Sequence, residues 1–462
     1  MTQTDTSFSN IGLRDPLFTN LASLGYETMT PIQIQSLPIL LKGVDVIAQA
    51  KTGSGKTAAF GLALLNDLNT ALFAVQALVL CPTRELAEQV SQVIRRLARL
   101  MPNVKLLNLS GGMPFTPQND SLKHGAHIVV GTPGRIQKHL DKNSLSLNKL
   151  NTLVLDEADR MLDMGFFDDI KQIIHSCPAQ RQTVLFSATY PEEIENLANK
   201  VMRNPQKIMI EEDNELNIEQ RFYEVSHSTH KFSLLKALLL HYKPTSTLIF
   251  CNTKEQTVQV AQQLNQAGFS AIPLNGDMEQ IDRDVAMIRF GNKSCSILVA
   301  TDVAARGLDI KELPAVINFD LAFELDVHIH RIGRTGRAGH KGLALNITIP
   351  ADAQRLCIIE EHLNNPLIWE KADHFDKTDA PVFLPEMVTI CLNVGRKDKI
   401  RPGDILGSLT KEAGLSGTDI EKINITTFNS YVAIHKNYAE KACQHFKNAK
   451  LKGRKVLVKK IV

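Results

Sequence analysis

The stretch Ala50–Thr57, AKTGSGKT, contains residue types that can wrap a triphosphate. Glycines let backbone N–H groups approach phosphate oxygens, lysine adds positive charge, and a threonine hydroxyl can bind Mg²⁺. General P-loops begin with Gly where this sequence has Ala50, so the match falls short by one residue. Val44–Ala48 predicts a strand before the loop, and Thr57–Leu68 predicts a helix after it, whose N-terminal dipole favours an anion. A nucleotide site is therefore favoured over an ordinary Gly/Ser turn.

An acidic motif, Asp156-Glu157-Ala158-Asp159, directly follows the apolar run Thr152–Leu155. Parallel α/β sheets place groups that face a nucleotide at the carboxyl ends of their strands. Asp156 is therefore expected to hold Mg²⁺, and Glu157 to polarise a water toward the γ-phosphate. An acidic helix start is the alternative explanation, and it loses weight beside a P-loop.

A third motif, HRIGRTGR at 330–337, packs three arginines into eight residues. A solvated basic loop would be the ordinary explanation. The intervening glycines, however, allow close backbone approach, and forked guanidiniums suit phosphate recognition. A catalytic arginine that reaches a nucleotide on another domain is worth roughly 10³–10⁵ in turnover. The motif therefore predicts two domains that close to react.

The elements that must position these motifs alternate between short apolar runs and helical patterns from Ile32 to Ile210, which predicts a parallel sheet covered on both faces. Its further predicted strands are Ala77–Cys81, Val104–Leu109, His127–Val130, Thr152–Leu155 and Thr183–Phe186. Arg203–Gln220 breaks this rhythm and is interpreted as a linker. A second α/β domain without its own P-loop follows, with predicted strands Thr247–Phe250, Ser270–Leu274, Ser296–Ala300, Ala315–Phe319 and Ala344–Ile349.

Asn365–Pro385, with three prolines and mixed charges, is interpreted as a second linker. The remaining residues show a β-α-β-β-α-β pattern, which predicts a small α/β sandwich of ferredoxin-like layout. Its predicted elements are Val388–Val394, Asp404–Ala413, Ile420–Thr427, Tyr431–Lys436, Ala439–Ala449 and Lys455–Ile461.

Charge and composition narrow the class of protein. Residues 386–462 carry 15 Lys and Arg against 7 Asp and Glu, a net charge of +8, so the rest of the chain carries −5 within the total of +3. A basic tail is consistent with a polyanion partner, although basic ends are often only solvated surface. No apolar run is long enough to span a bilayer, and the polar start lacks signal-peptide features. Seven scattered cysteines without CxxC spacing fit a reducing cytoplasm and predict no zinc site.

Over residues 8–340 the order of these motifs resembles that of the DEAD-box ATP-dependent RNA helicases. Gly25-Tyr26 through Thr30-Pro31-Ile32-Gln33 resembles the Q motif, with Thr28 and Met29 departing from the commoner residues. The resemblance implies two RecA-like parallel-sheet domains in tandem, residues 1–208 and 216–364, followed by a small RRM-like α/β sandwich domain, residues 386–462.

The resemblance also implies functional roles residue by residue. It implies catalytic roles for Lys56, Asp156, Glu157, Arg334 and Arg337. It implies ATP contacts for Phe8, Tyr26, Gln33, Thr52, Gly53, Ser54, Gly55, Lys56, Thr57 and Asp309, with Thr57 and Asp156 on Mg²⁺. Residues that would couple hydrolysis to strand separation are Asp159, Ser187, Thr189 and His330. The core residues implied to contact RNA are Pro82, Thr83, Arg84, Gly112, Thr132, Gly134, Arg135, Gln280, Arg283 and Thr301.

The tail resembles the RNA-binding C-terminal domain of one group of bacterial DEAD-box helicases, through Gly395–Gly407 and Asp419–Ile423. This resemblance implies an RRM-like fold that recognises 23S rRNA at a hairpin near the peptidyl-transferase centre. Its strands are poor in stacking aromatics, with Tyr431 as the exception, so recognition is expected to use basic loops. The candidate tail residues are Arg396, Lys397, Lys399, Arg401, Lys452 and Arg454. A nonspecific RNA tether is the alternative for this domain.

The sequence thus predicts a cytoplasmic, monomeric, ATP- and Mg²⁺-dependent RNA helicase that locally unwinds or remodels RNA. Its expected target is 23S rRNA during assembly of the large ribosomal subunit, with the tail as anchor. Three alternatives remain open: an ATP-gated RNA clamp with little unwinding, a generic DEAD-box helicase without rRNA specificity, and a DNA helicase of the same superfamily.

Overall fold

The computed structural model describes residues 6–50, 53–187, 189–190, 192–210, 218–305, 313–336, 341–363, 365–371 and 381–461. The predicted site residues Thr52, Asp309 and Arg337 lie outside these ranges. The described residues form two compact units, one reaching to residue 210 and the other beginning at residue 218. Within the described residues, no helix combines the length and the apolar character that crossing a bilayer requires.

The first unit contains a seven-stranded, fully parallel sheet. Its strands are β1 (Val46–Gln49), β2 (Ala77–Leu80), β3 (Leu106–Leu109), β4 (Ile128–Gly131), β5 (Thr152–Asp156), β6 (Gln182–Ser187) and β7 (Gln206–Met209). Its helices are α1 (Asp15–Ser23), α2 (Pro31–Leu40), α3 (Lys56–Asp67), α4 (Arg84–Leu97), α5 (Phe115–Lys123), α6 (Pro133–Asp141), α7 (Ala158–Asp163), α8 (Phe167–His175) and α9 (Glu192–Val201). The strand order is β3-β4-β2-β5-β6-β1-β7.

Both faces of this sheet are covered, as its continuous apolar runs predict. In β2, Val79 belongs to one buried cluster, whereas its neighbours Leu78 and Leu80 belong to the cluster on the other face. Neighbouring strands repeat this alternation, as Val154 and Leu153 of β5 show. The strands therefore present their carboxyl ends at one edge, between two hydrophobic layers.

The second unit begins with a six-stranded parallel sheet of order β10-β11-β9-β12-β13-β8. Its strands are β8 (Ile218–Glu224), β9 (Thr247–Phe250), β10 (Ala271–Leu274), β11 (Ile297–Ala300), β12 (Ala315–Asn318) and β13 (Gly342–Thr348). Its helices are α10 (Lys231–Tyr242), α11 (Lys254–Gln266), α12 (Gln280–Gly291), α13 (Asp302–Ala305), α14 (Leu325–Ile332) and α15 (Ala353–Leu363). The predicted pair of RecA-like parallel-sheet domains is confirmed.

Both predicted linkers carry ordered structure at their described ends, so the linker interpretation was wrong there. In the first linker, β7 pairs with β1, and β8 pairs with β13. Each is an edge strand. Its mixed polar sequence lacks the continuous apolar run that marks a buried strand. In the second linker, Trp369 bridges to Phe222 of β8, and Leu367 is buried. The chain leaving the second sheet is thus held against its edge.

The C-terminal residues form the predicted α/β sandwich. Its elements are β14 (Met387–Leu392), α16 (Pro402–Gly407), β15 (Ile420–Ile425), β16 (Ser430–His435), α17 (Ala439–Asn448), the short strands β17 (Lys450–Leu451) and β18 (Arg454–Lys455), and β19 (Val458–Ile461). The antiparallel sheet has the order β15-β16-β14-β19. One turn of π-helix, Ser408–Glu412, continues α16. Ile390 and Leu392 of β14 pack with Phe446 of α17 in a separate core.

The outer face of this sheet packs against the end of α12 in the preceding domain. Thr389 of β14 accepts a hydrogen bond from Asn292 Nδ2 at 3.2 Å, and its Oγ1 lies 2.7 Å from Ser294 Oγ. Lys293 lies 3.5 Å from Glu421 across the same junction. Since Thr389 and Asn292 are both fully buried, this junction excludes water from its polar centre. The sandwich is docked on the second RecA-like domain as well as linked to it.

Candidate functional site

The predicted ATP motifs of the first unit share one edge of its sheet. The loop that begins at Ala50 follows β1, Asp156 ends β5, and Ser187 ends β6. These strands are neighbours in the order β5-β6-β1, so their carboxyl ends lie side by side. The backbone N–H of Ala50 donates to Ser187 O at 3.0 Å, which joins two of the motifs directly.

The described part of the P-loop has the backbone that wraps phosphate. Gly53 and Gly55 have φ angles of 93° and 98°, in the left-handed region that favours glycine. Lys56 begins α3 and is 5% exposed, and its Nζ donates to Ala50 O at 2.8 Å. The ammonium is therefore already held over the loop, beside the first turn of a twelve-residue helix.

Gln33 of the Q motif is tied to the P-loop. Its Nε2 donates to Gly55 O at 3.2 Å, while its Oε1 accepts from Thr30 N at 2.9 Å. Thr30 Oγ1 also donates to Ser54 O at 2.7 Å. A Cβ at Gly55 would lie 2.6 Å from Gln33 Nε2, so this approach requires glycine. The amide keeps a second donor and a second acceptor position, and its reading of adenine stays a prediction.

Phe8 and Tyr26 lie together near this motif. Phe8 is 3% exposed within the core, and its ring meets the Tyr26 ring edge-on, with centroids 6.4 Å apart. Packing explains the burial of Phe8 fully. A contact of either ring with adenine stays a prediction.

The acidic motif is buried and strained. Burial raises the pKa of Asp156 to about 7; the charge of Lys56 opposes this rise and that of Glu157 adds to it. Glu157 adopts φ 53° and ψ 53°, a left-handed conformation that costs a non-glycine residue roughly 1–3 kcal/mol and is concentrated at functional sites. An ion pair from Arg160 to Glu157 Oε2 at 2.7 Å, nearly excluded from solvent, helps to hold this geometry.

Asp159 connects the acidic motif to the segment after β6. Thr189 donates to Asp159 Oδ2 twice, from its backbone N and from its Oγ1, each at 3.0 Å. The backbone N–H of Asp159 in turn donates to Ser187 Oγ at 3.3 Å. Burial opposes ionisation of Asp159, but the hydrogen bonds of Thr189 and the charge of Arg160 outweigh it and lower its pKa. The predicted coupling residues Asp159, Ser187 and Thr189 are therefore in contact.

The other half of the same sheet edge collects the residues predicted to contact RNA. Pro82, Thr83 and Arg84 follow β2, Gly112 follows β3, and Thr132, Gly134 and Arg135 follow β4. These three strands are adjacent, in the order β3-β4-β2. The structure thus places the ATP motifs and the predicted RNA motifs of this domain on separate halves of one edge.

Two arginines of this second group are held by different partners. A Cβ at Gly111 would lie 3.0 Å from Arg84 Nη2, so the guanidinium rests on a glycine. Arg135 donates to Gln118 Oε1 at 2.9 Å and to Met113 O at 3.0 Å. Burial and the charge of Arg84 lower the pKa of Arg135. Guanidinium groups suit an anionic ligand such as a phosphate.

In the second RecA-like domain, the predicted RNA residues again follow adjacent strands. Gln280 and Arg283 lie in the first turn of α12, after β10, and Thr301 directly follows β11. Thr301 is 8% exposed, and Gln280 donates to Asp284 at 2.9 Å. In each RecA-like domain, therefore, the predicted RNA residues lie at the edge formed by the carboxyl ends of the strands.

Comparisons with known proteins agree with this geometry. Residues 30–197 match the DEAD/DEAH box helicase family, residues 230–339 the helicase conserved C-terminal domain, and residues 389–460 the DbpA RNA binding domain. The chain is 52% identical over 451 residues to the ATP-dependent RNA helicase DbpA of Escherichia coli (strain K12), covering 97% of this chain and 98% of that protein. This chain belongs to the DEAD-box ATP-dependent RNA helicases.

Further similarities cover both the whole helicase and its core. It is 37% identical to DbpA of Bacillus subtilis (strain 168) over 98% of this chain and 99% of that protein. Yeast Dbp5 bound to RNA and ADP BeF3 has a TM-score of 0.73 and 30% identity, covering 80% of this chain and 97% of that one. The helicase is thus an RNA-dependent ATPase with a DbpA-like RNA-binding domain.

Arg331 is a residue of the helicase to which the sequence reading gave no role. It is 1% exposed and forms a two-pronged ion pair with Asp302, at 2.6 and 2.7 Å. It also donates to Asp320 O at 2.6 Å and to Asn252 Oδ1 at 2.8 Å. Arg331 therefore joins α14 to the ends of three strands and positions its neighbours. The sequence shows an arginine at this position of HRIGRTGR, but it does not show that the side chain is buried.

Two other described residues of the HRIGRTGR motif were predicted to have functional roles. Arg334 follows α14, is 6% exposed, and its backbone O accepts from Leu313 N at 3.2 Å. His330 lies in the last turn of α14 and is half-buried. Their roles at the γ-phosphate and in coupling stay predictions.

The six basic tail residues of the helicase fall into three pairs. Lys452 lies 2.7 Å from Asp404, and Arg454 is ion-paired with Asp398. Arg396 and Lys397 instead project beside the turn between β15 and β16. Lys399 and Arg401 are exposed nearby. A contact of any of them with RNA stays a prediction, and the two ion pairs give Lys452 and Arg454 a structural role as well.

Proposed function

We propose that this helicase remodels 23S rRNA during assembly of the large ribosomal subunit, held at an rRNA hairpin by its C-terminal domain. The observation that carries the proposal is the match of residues 389–460 to the DbpA RNA binding domain. The net charge of +8 over residues 386–462 supports it, because a phosphate backbone attracts a basic domain. A cytoplasmic location and a monomeric state are part of the same proposal.

The ATP half of the first domain fits Mg²⁺-bound ATP. Buried Lys56 offers positive charge, Asp156 and the Thr57 hydroxyl are oxygen ligands that Mg²⁺ prefers, and the glycine backbone offers N–H groups. Bound Mg²⁺ would neutralise charge on the phosphates. Glu157, placed one residue after the metal ligand Asp156, accepts a proton from the attacking water. Arg334 stabilises charge that develops on the γ-phosphate.

Hydrolysis is coupled to RNA through Asp159, Ser187 and Thr189. The hydrogen bonds of Thr189 to Asp159 link the acidic motif to the segment after β6, so a change at the phosphates shifts that segment. The RNA half of the edge offers Thr, Gly and Arg groups, which suit phosphates and 2′-hydroxyls and carry no base sequence. The core therefore opens duplexes without sequence preference and depends on another part of the chain for its target.

Because the C-terminal domain is docked, RNA bound to it is held at a fixed position relative to the second RecA-like domain. α12 carries Gln280 and Arg283 at its start and meets the sandwich at its end through Asn292. A twelve-residue helix is about 18 Å long. RNA held by the sandwich is therefore presented to the second RecA-like domain over roughly that distance, rather than on a loose tether.

The test measures how RNA activates the ATPase of the full-length helicase. Two 23S rRNA fragments of equal length are titrated at matched salt, one with the hairpin near the peptidyl-transferase centre and one with that hairpin replaced by an unrelated hairpin. We expect half-maximal stimulation at a much lower concentration of the first fragment, with similar maximal rates. Equal half-saturation would refute the 23S rRNA target and leave RNA-dependent hydrolysis untouched.

A further inference from the structure

At the centre of the docked sheet, the described outer face offers an RNA base no exposed aromatic side chain on which to stack. In an RRM-like domain, bases usually stack on aromatic side chains of that face. Here Thr389 and Ala433 are 0% exposed, and Tyr431, the aromatic residue of the described outer face, is 5% exposed. The hydrogen bonds of Thr389 with Asn292 and Ser294 show that the second RecA-like domain covers it. Base stacking has to occur elsewhere while the domains are docked.

Phe428 presents an exposed aromatic ring at one end of the same sheet. It lies in the turn between β15 and β16 and is 59% exposed. Two hydrogen bonds close this turn: Thr426 N donates to Asn429 O at 2.8 Å, and Asn429 N donates to Thr426 Oγ1 at 3.1 Å. The ring therefore stands on a short, closed turn, so little backbone entropy is lost when a ligand binds it.

One cation lies near this ring, and a second is hydrogen-bonded to the segment that carries it. Lys397 Nζ lies 5.4 Å from the ring centroid, and Arg396 Nε donates to Ile425 O at 3.0 Å. The backbone N–H groups of Arg396 and Lys397 donate to the O atoms of Thr426 and Thr427 at 2.9 and 3.0 Å, which locks the basic loop onto the turn. Gly395 permits this approach, because a Cβ there would lie 2.6 Å from Thr426 O.

A single exposed phenylalanine is ordinary on a protein surface. An aromatic ring on a closed turn, with Lys397 near the ring and Arg396 bonded to the same turn, combines the stacking surface and the positive charge with which proteins bind single-stranded nucleic acid. Leu457, 70% exposed, is a second apolar side chain at the same end of the sheet, since Leu457 N donates a hydrogen bond to Asn393 Oδ1 just after β14. The charge and the apolar surface together fit a nucleotide, whose base is apolar on its faces and whose phosphate is anionic.

We propose that Phe428 is the stacking platform for one unpaired RNA base, with Arg396 and Lys397 placed for the adjoining phosphates. The site takes an unpaired nucleotide of a hairpin loop or of a duplex junction. Stacking tolerates any base, so Phe428 selects for unpaired structure and not for sequence. This inference deepens the proposed function, because it names the surface with which the C-terminal domain holds its RNA.

The test compares full-length F428A, F428W and Y438A with the unchanged helicase. Tyr438 is a matched control, since it is an aromatic residue of the same domain, 40% exposed, that follows the opposite end of β16. The probes are the two 23S rRNA fragments defined above, with 2-aminopurine in turn at each unpaired position. We expect F428A to weaken binding by roughly 5- to 150-fold, the range for loss of one base stack. In the unchanged helicase, stacking on Phe428 should quench the fluorescence of 2-aminopurine at one of these positions, and F428A should abolish that quenching.

F428W should retain both the affinity and the quenching, and Y438A should match the unchanged helicase. Affinity and quenching that are unchanged in F428A would overturn the stacking site. If the unchanged helicase binds both fragments equally while F428A weakens both, the stacking site stands and the 23S rRNA target fails. The two proposals can therefore fail separately.

Discussion

Thr389 Oγ1 lies 2.7 Å from Ser294 Oγ, at the buried junction between the C-terminal sandwich and the second RecA-like domain. Ser294 Oγ also donates to Arg289 O at 3.1 Å, so Thr389 donates to Ser294 while it accepts from Asn292. The chain of hydrogen bonds runs from the end of α12 into the central strand β14. The single hydroxyl of Thr389 therefore makes two hydrogen bonds that join the sandwich to the second RecA-like domain.

Replacing Thr389 by Val should loosen this junction, because the methyl group keeps the shape but leaves the buried Asn292 amide without this acceptor and removes the bond to Ser294. We expect the free energy that holds the domains together to fall by roughly 1–3 kcal/mol, the cost of unsatisfied buried polar groups. Hydrogen exchange should then speed up for residues 389–391 and 431–433. The control is T418V, at an exposed threonine of the same domain. Unchanged exchange in T389V would show that the junction does not depend on this hydroxyl.

Replacing Glu157 by Gln should abolish ATP hydrolysis, since the amide cannot accept the proton of the attacking water. The variant should also lose about 1–3 kcal/mol of stability, because Arg160, 3% exposed, loses its charged partner. ATPase rates and chemical denaturation measure the two effects. E195Q removes the same charge from an exposed pair with Lys207 and should change neither quantity. Substantial turnover by E157Q would refute the assigned role.

Replacing Thr189 by Val should uncouple unwinding from hydrolysis. The variant keeps the backbone N–H bond to Asp159 but loses the hydroxyl bond to the same oxygen. A hydrogen bond to a charged group contributes ~1.5–3 kcal/mol, so strands separated per ATP should drop roughly tenfold or more. T189S restores the hydroxyl and should restore the yield. If T189V unwinds as efficiently per ATP as T189S, the hydroxyl bond has no part in coupling.

His139 should make the first domain sensitive to acid. Burial, and then the charges of Arg135, Lys138 and Lys142, lower its pKa from 6.5 to about 4. Between these values the unfolded chain binds a proton that the folded chain does not, so stability falls as pH falls from about 6.5 to about 4. The loss is up to about 3 kcal/mol.

Denaturation of H139Q against pH measures this effect. Glutamine can keep the contact that His139 Nε2 makes with Gln118 at 3.1 Å but does not titrate, so its stability should fall less over that window. H175Q, at an exposed histidine, should retain the full dependence. The same slope in H139Q and in the unchanged helicase would exclude His139 as its source.

The fold was largely predictable because buried parallel strands have continuous apolar runs. Strand β9 was predicted at its observed bounds, and the other central strands of the two parallel sheets fall within about two residues of their predictions. The edge strands β7 and β8 were missed because one polar sequence pattern fits both an edge strand and a linker. Motif order and spacing identified the residues that follow the strands of the first sheet, but not the division of its edge into two halves, and their contacts with ATP and RNA stay predictions.

Packing between distant parts of the chain was not predictable. Arg331 resembles its neighbours in HRIGRTGR, and only its burial against Asp302 separates its structural role from theirs. The docking of Thr389 on α12 involves ordinary polar residues that carry no local pattern. Phe428 escaped notice because stacking residues were sought in strands, whereas it lies in a turn.

Strand displacement by the full-length helicase in excess ATP tests the proposed function most directly. Two substrates carry an identical short duplex, joined either to the 23S rRNA hairpin or to an unrelated hairpin of the same length. At protein concentrations well below saturation, we expect rapid displacement beside the 23S rRNA hairpin and slow displacement beside the other. Equal rates on both substrates, or RNA-stimulated hydrolysis without displacement on either, would contradict the proposed function.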